Sequence, residues 1–270
     1  MLFRSITLLQ QVTDVIAAKP AHLFAPREAI RYRYRAGFGG AESERGASAE
    51  VPQYPPAGAM IDYWLATPAL DARLEILDAR GSVIQGYGVD TVRSTTTRGG
   101  APAGLSARAG LNRFVWDMTY PGPWNAAPAQ GGRVGPMAAP GTYTVRLTAN
   151  GTTMTQSLLL RADPRVTHDG MSPSVLNAQL AFNLKVRDLV SDANRVAERL
   201  RAAPNAALDA EFFTPPVRYS RPALQAHITY LYSENIGADQ RVGRDAMDRY
   251  AELRKALDAL TARISAAPAR

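Results

Sequence analysis

The chain has 270 residues, which is enough for two domains with a hydrophobic core each. Its hydrophobic fraction of 46% and charged fraction of 20% exclude global disorder, no apolar run is long enough to cross a membrane, and the lack of cysteine excludes disulfides and thiolate metal sites. The net charge of +7 comes mainly from arginines interleaved with acids, which is typical of a solvated basic surface and argues against a nucleic-acid partner.

Residues 1–57 contain no sustained hydrophobic period and are predicted to form one strand and a linker. Polar side chains from Gln10 onward interrupt the apolar start before a signal-peptide core develops, so we expect no signal peptide. Apolar and basic residues alternate over Ala29–Arg35, which predicts the strand. Because a lone strand cannot bury its face, its sheet lies either later in this chain or outside it. Residues 37–56 have the Gly, Ser, Glu and Pro content of a linker.

Residues 58–163 change to short runs of period two that are separated by turns, which predicts β-strands. The clearest pair is a hairpin over residues 141–163, where Asn150 and Gly151 supply a type I′ turn. The other predicted strands cover residues 60–66, 73–78, 82–87 and 113–118. This number and spacing predict an antiparallel immunoglobulin-like β-sandwich that folds without help from the rest of the chain.

Residues 171–268 follow a helical period and are predicted to form a helical hairpin or three-helix tail. Ser172 followed by Pro173 is a helix start, and the first helix runs for about 30 residues, to Ala203. The second helix begins near Ser220 and ends at Gly237, and the third covers residues 239–264. The expected fold is therefore mixed, with an all-β part followed by an all-α part.

Titratable residues give no clear catalytic or metal constellation. The three histidines, His22, His168 and His227, lie on separate segments, and none has a second ligand at metal-binding spacing, so no metal site and no cofactor are predicted. Glycoside hydrolysis needs two carboxylates that face each other. The carboxylate candidates are Asp62, Glu75, Asp78, Asp90 and Asp117.

Among these acids no pair stands out. Asp62 and Glu75 alternate within strands and are expected to be polar residues that point outward. Asp117 interrupts an apolar run, which fits either a functional acid or a structural acid that accepts backbone N–H bonds. No serine-nucleophile or phosphate-loop motif occurs, so no catalytic residue is assigned.

Aromatic residues are the candidates for contact with a ligand or partner. At strand spacing, core packing is favoured for Trp64 and Trp116, although Trp116 and the neighbouring Tyr120 could also join a sugar-stacking platform. Trp124 lies in a Gly/Pro-rich loop over residues 120–140, which is long for a connection between two strands. Leaving its indole in water is unfavourable, so we expect Trp124 to dock on the helical tail or on another domain. The candidate contact residues are thus Trp124, Tyr120 and Trp116.

Several segments resemble the C-terminal part of large bacterial proteins with BNR or sortilin-like β-propeller repeats, which are commonly classed as glycosyl hydrolases. In the strand-rich part these segments are PPAGAMIDYWL (55–65), LEILDARGSVI (74–84), GLNRFVWDMTYPGP (110–123), APGTYTVRLTANG (139–151) and RADPRV (161–166). In the helical part they are LNAQLAFNLKVRDLVSDANRV (176–196) and residues 220–260, and PAHLFAPREAIRYR (20–33) resembles the segment that leaves the last propeller blade.

The resemblance implies an exported parent protein, periplasmic or extracellular, with a β-propeller upstream as the partner of this chain. It also implies that residues 1–57 are left over from that propeller. No BNR repeat occurs in this sequence, so no catalytic residue of the family is carried over. Two functions remain open: a non-catalytic accessory or interaction module, and a carbohydrate-binding module that delivers polysaccharide to the parent enzyme.

Overall fold

The computed structural model describes residues 8, 11–33, 58–89, 104–127 and 133–266. The chain divides into two compact units. The sheet unit comprises Met1–Met118 and Pro140–Asp163, and the helical unit comprises Thr119–Ala139 and Pro164–Arg270. Each unit is therefore built from two separate stretches of sequence.

Where the structure describes the sheet unit, it has a short helix and eight strands. Its elements in chain order are α1 (Asp14–Ala17), β1 (Ala21–Leu23), β2 (Ala29–Arg31), β3 (Ala59–Leu65), β4 (Arg73–Leu77), β5 (Val83–Gly88), β6 (Gly110–Trp116), β7 (Gly141–Ala149) and β8 (Thr152–Ala162). The strands form a three-stranded antiparallel sheet in the order β1-β3-β6 and a five-stranded sheet in the order β2-β8-β7-β4-β5. In the second sheet β2 runs parallel to β8 and the other neighbours are antiparallel.

The two sheets pack face to face through alternating apolar residues. On β3, Ile61 is fully buried together with every second residue of the strand, as period-two patterning requires. Between the sheets, the rings of Trp116 and Tyr143 lie 5.4 Å apart and those of Phe114 and Tyr87 lie 4.4 Å apart, measured between centroids. The aromatic contacts thus join β6 of one sheet to β7 and β5 of the other.

The hairpin between β7 and β8 confirms the predicted turn. Asn150 has a φ of 49° and Gly151 a φ of 71°. Both residues are left-handed, which a type I′ turn demands and which asparagine and glycine tolerate best.

The described residues of the helical unit form the helices α2 (Pro164–His168), α3 (Pro173–Ala202), α4 (Ala206–Phe212), α5 (Leu224–Ile236) and α6 (Arg244–Ala266). The predicted start of α3 is confirmed, because Ser172 accepts a hydrogen bond from the backbone of Val175 and Pro173 follows it. The shared core is formed mainly by α3, α5 and α6, with side chains that include Val186, Leu189, Val190, Ile228, Tyr232, Leu253, Leu257 and Leu260. No helix in the described part of the chain has both the length and the hydropathy needed to cross a membrane.

Two buried amides on α3 hold the C-terminal end of α5. Gln179 Nε2 donates to the carbonyl oxygen of Ala238 at 2.8 Å, and Asn183 Nδ2 donates to that of Asn235 at 3.3 Å. The last carbonyls of a helix have no partner within the helix, and the amide of Asn183 supplies one to Asn235, while that of Gln179 holds the residue two positions after α5.

The structure confirms two β-sheets followed by a helical region, but it moves the predicted domain boundaries. The strand predicted at Ala29–Arg35 is β2, and it pairs with β8 of this chain, while β1 pairs with β3. The sheet predicted from residue 58 onward is therefore completed by two short strands from the segment assigned to an upstream propeller. Residues 34–57 lie outside the described residues. At the other boundary, residues 119–139 belong to the helical unit.

Candidate functional site

The loop that contains Trp124 is an ordered two-armed ribbon. We call residues 119–127 and 133–139 the ribbon. Its arms are joined by an antiparallel bridge between Thr119 and Met137, and the N–H of Tyr120 donates to the carbonyl of Pro136 at 2.8 Å. Glycine permits this approach, because a Cβ atom added at Gly135 would lie 1.7 Å from the carbonyl oxygen of Tyr120.

Both arms of the ribbon are fastened to helices of the same unit. The N–H of Trp124 donates to Ser191 Oγ at 3.0 Å, and Asn194 Nδ2 donates to the Trp124 carbonyl at 2.7 Å, so α3 holds the first arm. Tyr232 Oη on α5 donates to the carbonyl of Val134 at 2.6 Å and holds the second arm. Burial raises the pKa of Tyr232 to about 12, which keeps this phenol protonated as the donor. The ribbon therefore docks on the helices through main-chain groups of Trp124 and Val134, whereas the prediction had placed that contact at the indole of Trp124.

The side chain of Trp124 stays partly in solvent although its main chain is fixed. Trp124 is 40% exposed, and the guanidinium carbon of Arg195 lies 5.3 Å from its ring centroid. This distance is within the range of a cation–π contact. Tyr120, the second predicted contact residue, is half-buried in the ribbon. The ribbon therefore presents a positioned indole beside a cation.

A cleft of about 380 Å³ lies beside the ribbon, and we call it the ribbon cleft. The ribbon contributes Arg133 to its walls and α3 contributes Asn194. Phe213 and Thr214, which follow α4, and Gln225 and Thr229 of α5 complete the lining. Among the described residues, the lining combines one cation, neutral hydrogen-bonding groups and an aromatic ring, without a carboxylate. Apart from the length of the loop around Trp124, nothing in the sequence pointed to these residues, because they come from four distant segments.

A second depression, of about 580 Å³, lies between α5, α6 and their connection. Charges of both signs line it, with Glu234 and Asp245 opposed by Arg241 and Arg249. Arg249 is also 3.0 Å from Glu252 in an ion pair. Because its charges offset one another, this groove favours no single class of charged ligand.

Trp116 lies in the core, as its strand spacing predicted, whereas Trp64 does not. Trp116, the third candidate contact residue, is fully buried between the sheets, so it is a core residue and does not belong to a surface site. Core packing was wrong for Trp64. The alternation that buries Ile61 places Trp64 on the opposite face of β3, half-buried, in register with His22 and Leu111.

The acids of the two sheets are held by arginines on the same or a neighbouring strand. Asp62 accepts two hydrogen bonds from Arg113, at 2.7 and 3.2 Å, and this pairing raises the pKa of the guanidinium. Glu75, predicted to point outward, is only 9% exposed and lies 2.7 Å from Arg146 and 2.8 Å from Arg73. Long arginine side chains cover such a residue while keeping their charge in water.

The remaining acids and the histidines are dispersed. Asp78 accepts hydrogen bonds from the backbone of Arg80 and Ser82, both at 2.9 Å, and so closes a turn. Asp117 follows β6. Burial raises the pKa of Tyr87, and the negative charge of Asp117 raises it further. Asp90 lies outside the described residues. His22 is on β1, His168 ends α2 and His227 is on α5, and the described residues contain no group of three potential metal ligands.

Comparison with known proteins gives no family. No protein-family model matches the chain, and no curated protein matches it. Among solved structures, the chain is similar to CopC from Methylosinus trichosporium OB3b at 12% sequence identity and a TM-score of 0.20, over 42% of this chain and 81% of that one. A TM-score this low does not establish a shared fold.

Proposed function

We propose that this chain is a non-catalytic accessory and interaction module in the C-terminal part of an exported β-propeller protein, and that the propeller is its partner. The observation that carries the proposal is the state of Trp124. Hydrogen bonds fix its main-chain N–H and carbonyl, while the residue as a whole is 40% exposed. A rigid, partly exposed tryptophan loses little conformational freedom on binding, and such residues dominate the energy of many protein interfaces. The resemblance of nearly the whole sequence to such proteins supports the choice of partner.

Within this proposal the sheet unit is an immunoglobulin-like β-sandwich. Its strand order supports this assignment. The sheet β1-β3-β6 then corresponds to strands A, B and E. In the other sheet the order β8-β7-β4-β5 corresponds to G-F-C-C′. This order supports an immunoglobulin-like assignment with an added C′ strand, and β2 is a further edge strand that runs parallel to β8. Such domains commonly present their loops and edges to other proteins.

The state of the carboxylates favours binding over catalysis. A general acid or base must reach the proton of a substrate with a free oxygen. Asp62 and Glu75 instead have their oxygens in ion pairs with arginines of adjacent strands, and Asp78 binds the backbone of its own turn. These acids stabilise the sheets, which leaves the aromatic and basic surface of the helical unit as the better candidate for function.

The test is binding of the chain to the separately produced propeller of its parent protein, measured by isothermal titration calorimetry. We expect saturable binding that Trp124→Ala weakens by about tenfold or more, the loss typical of a central interface aromatic. Tyr230→Ala is the matched control, because Tyr230 is an aromatic residue of the same unit that is 65% exposed and lies on α5.

Thermal unfolding of the Trp124→Ala chain accompanies this experiment. A lower melting temperature is expected because much of the residue is covered and Arg195 loses its ring. Absence of binding by the unchanged chain would refute the proposal, and so would an equal loss of binding in the two variants.

A further inference from the structure

The ribbon cleft contains a cation with unused hydrogen-bonding capacity. Arg133 donates through Nη1 to Ser233 Oγ at 3.4 Å, which is a long hydrogen bond to a neutral partner. A guanidinium has five N–H donors, and within the described residues no carboxylate pairs with this one. The cleft lining itself has no acid. An anionic group of a ligand would therefore find a positive partner and no carboxylate among the described lining residues.

The same cleft offers neutral hydrogen-bonding groups. Gln225 and Thr229 lie four positions apart on α5, so they share one face of that helix. Within the described residues, the amide of Gln225 and the hydroxyl of Thr229 make no hydrogen bond to protein. Asn194 uses its Nδ2 for the carbonyl of Trp124 and keeps its Oδ1 free of described partners. Three side chains with donors and acceptors thus line the cleft in addition to the cation.

Aromatic and basic groups border this polar surface. Phe213 lines the cleft, and the guanidinium carbon of Arg201 lies 5.7 Å from its ring centroid. Asn194 joins the cleft to Trp124, which Arg195 covers in the same manner. A volume of about 380 Å³ is within the usual range for sites that hold small ligands. Hydroxyl-rich rings bind well where amides and hydroxyls alternate with aromatic rings, and the arginine adds a preference for a carboxylate.

We propose that the ribbon cleft binds an acidic saccharide, in which Arg133 pairs with the carboxylate of the sugar and Gln225, Thr229 and Asn194 bind its hydroxyl groups. Binding at this cleft does not require the propeller, so its success or failure is separate from that of the interaction module.

The experiment is calorimetric titration of the full chain with trigalacturonate, with galactotriose as the neutral counterpart and inorganic phosphate as the plain anion. We expect saturable binding of trigalacturonate and at least about tenfold weaker binding of the two controls. Galactotriose lacks the carboxylates, and phosphate lacks the sugar hydroxyls. Equal affinity for the two trisaccharides would overturn the role of Arg133. Equal affinity for phosphate would overturn recognition of a saccharide, and the absence of saturable binding would overturn the site.

Two substitutions place the ligand in the cleft. Arg133→Gln should weaken binding of trigalacturonate by about tenfold or more, whereas Arg241→Gln, which removes an arginine from the groove between α5 and α6, should leave it unchanged. Arg133 also contacts Ser233 of α5, so its substitution could displace the ribbon as well as remove the charge. A second variant separates these two effects. Thr229→Val removes a hydroxyl with no described partner, so it should keep the melting temperature and weaken binding by about two- to tenfold. Unchanged affinity in both cleft variants would refute the proposal.

Discussion

At the scale of single residues, His22 shows how a short strand sets the chemistry of a side chain. The residue lies on β1, where its neighbours Ala21 and Leu23 are buried in the core and His22 itself is half-buried on the other face. Its ring contacts Phe24 edge to face, with 4.8 Å between centroids. Burial lowers the pKa of His22 below its ordinary value of 6.5, and the charge of Lys19 lowers it further.

This shift predicts how stability depends on pH. The unfolded chain takes up a proton on His22 at a higher pH than the folded chain does. The stability that the folded chain gains from a neutral His22 is therefore fully present above the ordinary pKa and is lost as the pH falls toward the lowered pKa. We expect a titration of the His22 imidazole by NMR to have its midpoint below 6.5. The free energy of unfolding should also fall more for the unchanged chain than for His22→Asn between about pH 7.5 and about pH 5.5. Equal losses in the two proteins would contradict this prediction.

At the scale of elements, the ribbon depends on glycine at the points where its arms touch. The Cβ of an alanine at Gly135 would overlap a backbone oxygen of Tyr120, and one at Gly122 would lie 2.0 Å from the carbonyl oxygen of Arg133. Backbone atoms cannot rotate away as a flexible side chain can. The arms must therefore separate if either glycine gains a side chain.

We predict that Gly135→Ala lowers the free energy of unfolding of the helical unit by about 1–3 kcal/mol, the usual cost of forcing an extra carbon into a packed site. Gly88→Ala on β5 is the control, since nothing lies within 4 Å of its added Cβ. Urea unfolding followed by tryptophan fluorescence reports the difference. Stability that is the same in the two variants would show that the arms do not need their close contact.

Elements with local signals were predictable from the sequence, and elements made by distant contacts were not. The turn at Asn150 and the start of α3 at Ser172 depend on a few adjacent residues, and both were placed correctly. Strand β1 has three residues, which is too short for a period to show. The alternation at Ala29–Arg35 did indicate β2, but not its pairing, because the partners of both strands lie far along the chain. The ribbon looked like a loop because its partners on α3 and α5 follow by 67 and 98 residues.

The candidate site follows the same division. Composition identified Trp124 as an unusual aromatic residue in a long loop, but it could not place Arg195 over the indole or Arg133 in a cleft with Gln225. Trp64 was assigned to the core as an aromatic residue at strand spacing, although its alternation with Ile61 places it on the other face. Pattern was the better guide there than hydrophobicity.

At the scale of the whole molecule, the sheet unit needs its N-terminal segment. Leu23 and Phe24 are at most 2% exposed, and burying each such side chain contributes about 1.5–3 kcal/mol. β1 also completes the edge of β3, and β2 completes the edge of β8. A fragment that begins at residue 58 therefore lacks part of the core as well as two strands.

We predict that fragment 58–163 is less stable than fragment 1–163 by several kcal/mol, or fails to unfold cooperatively. Both fragments lack the helical tail, so their difference reports the contribution of residues 1–57, which contain α1, β1 and β2. Urea unfolding monitored by circular dichroism measures it. Identical midpoints would mean that residues 58–163 hold a complete core, as their strand pattern first indicated.

The ribbon leaves the ribosome well before the helices that hold it. Trp124 precedes its partner Ser191 by 67 residues. Because translation adds roughly 5–20 residues per second, Ser191 is synthesised about 3 to 13 seconds after Trp124. The interval between the second arm and its partner on α5 is longer. During that interval the chain between β6 and β7 lacks the helices that fix it in the finished protein. The hairpin of β7 and β8 can form meanwhile, so the ribbon, although it lies in the middle of the sequence, is among the last parts of the protein to reach its native contacts.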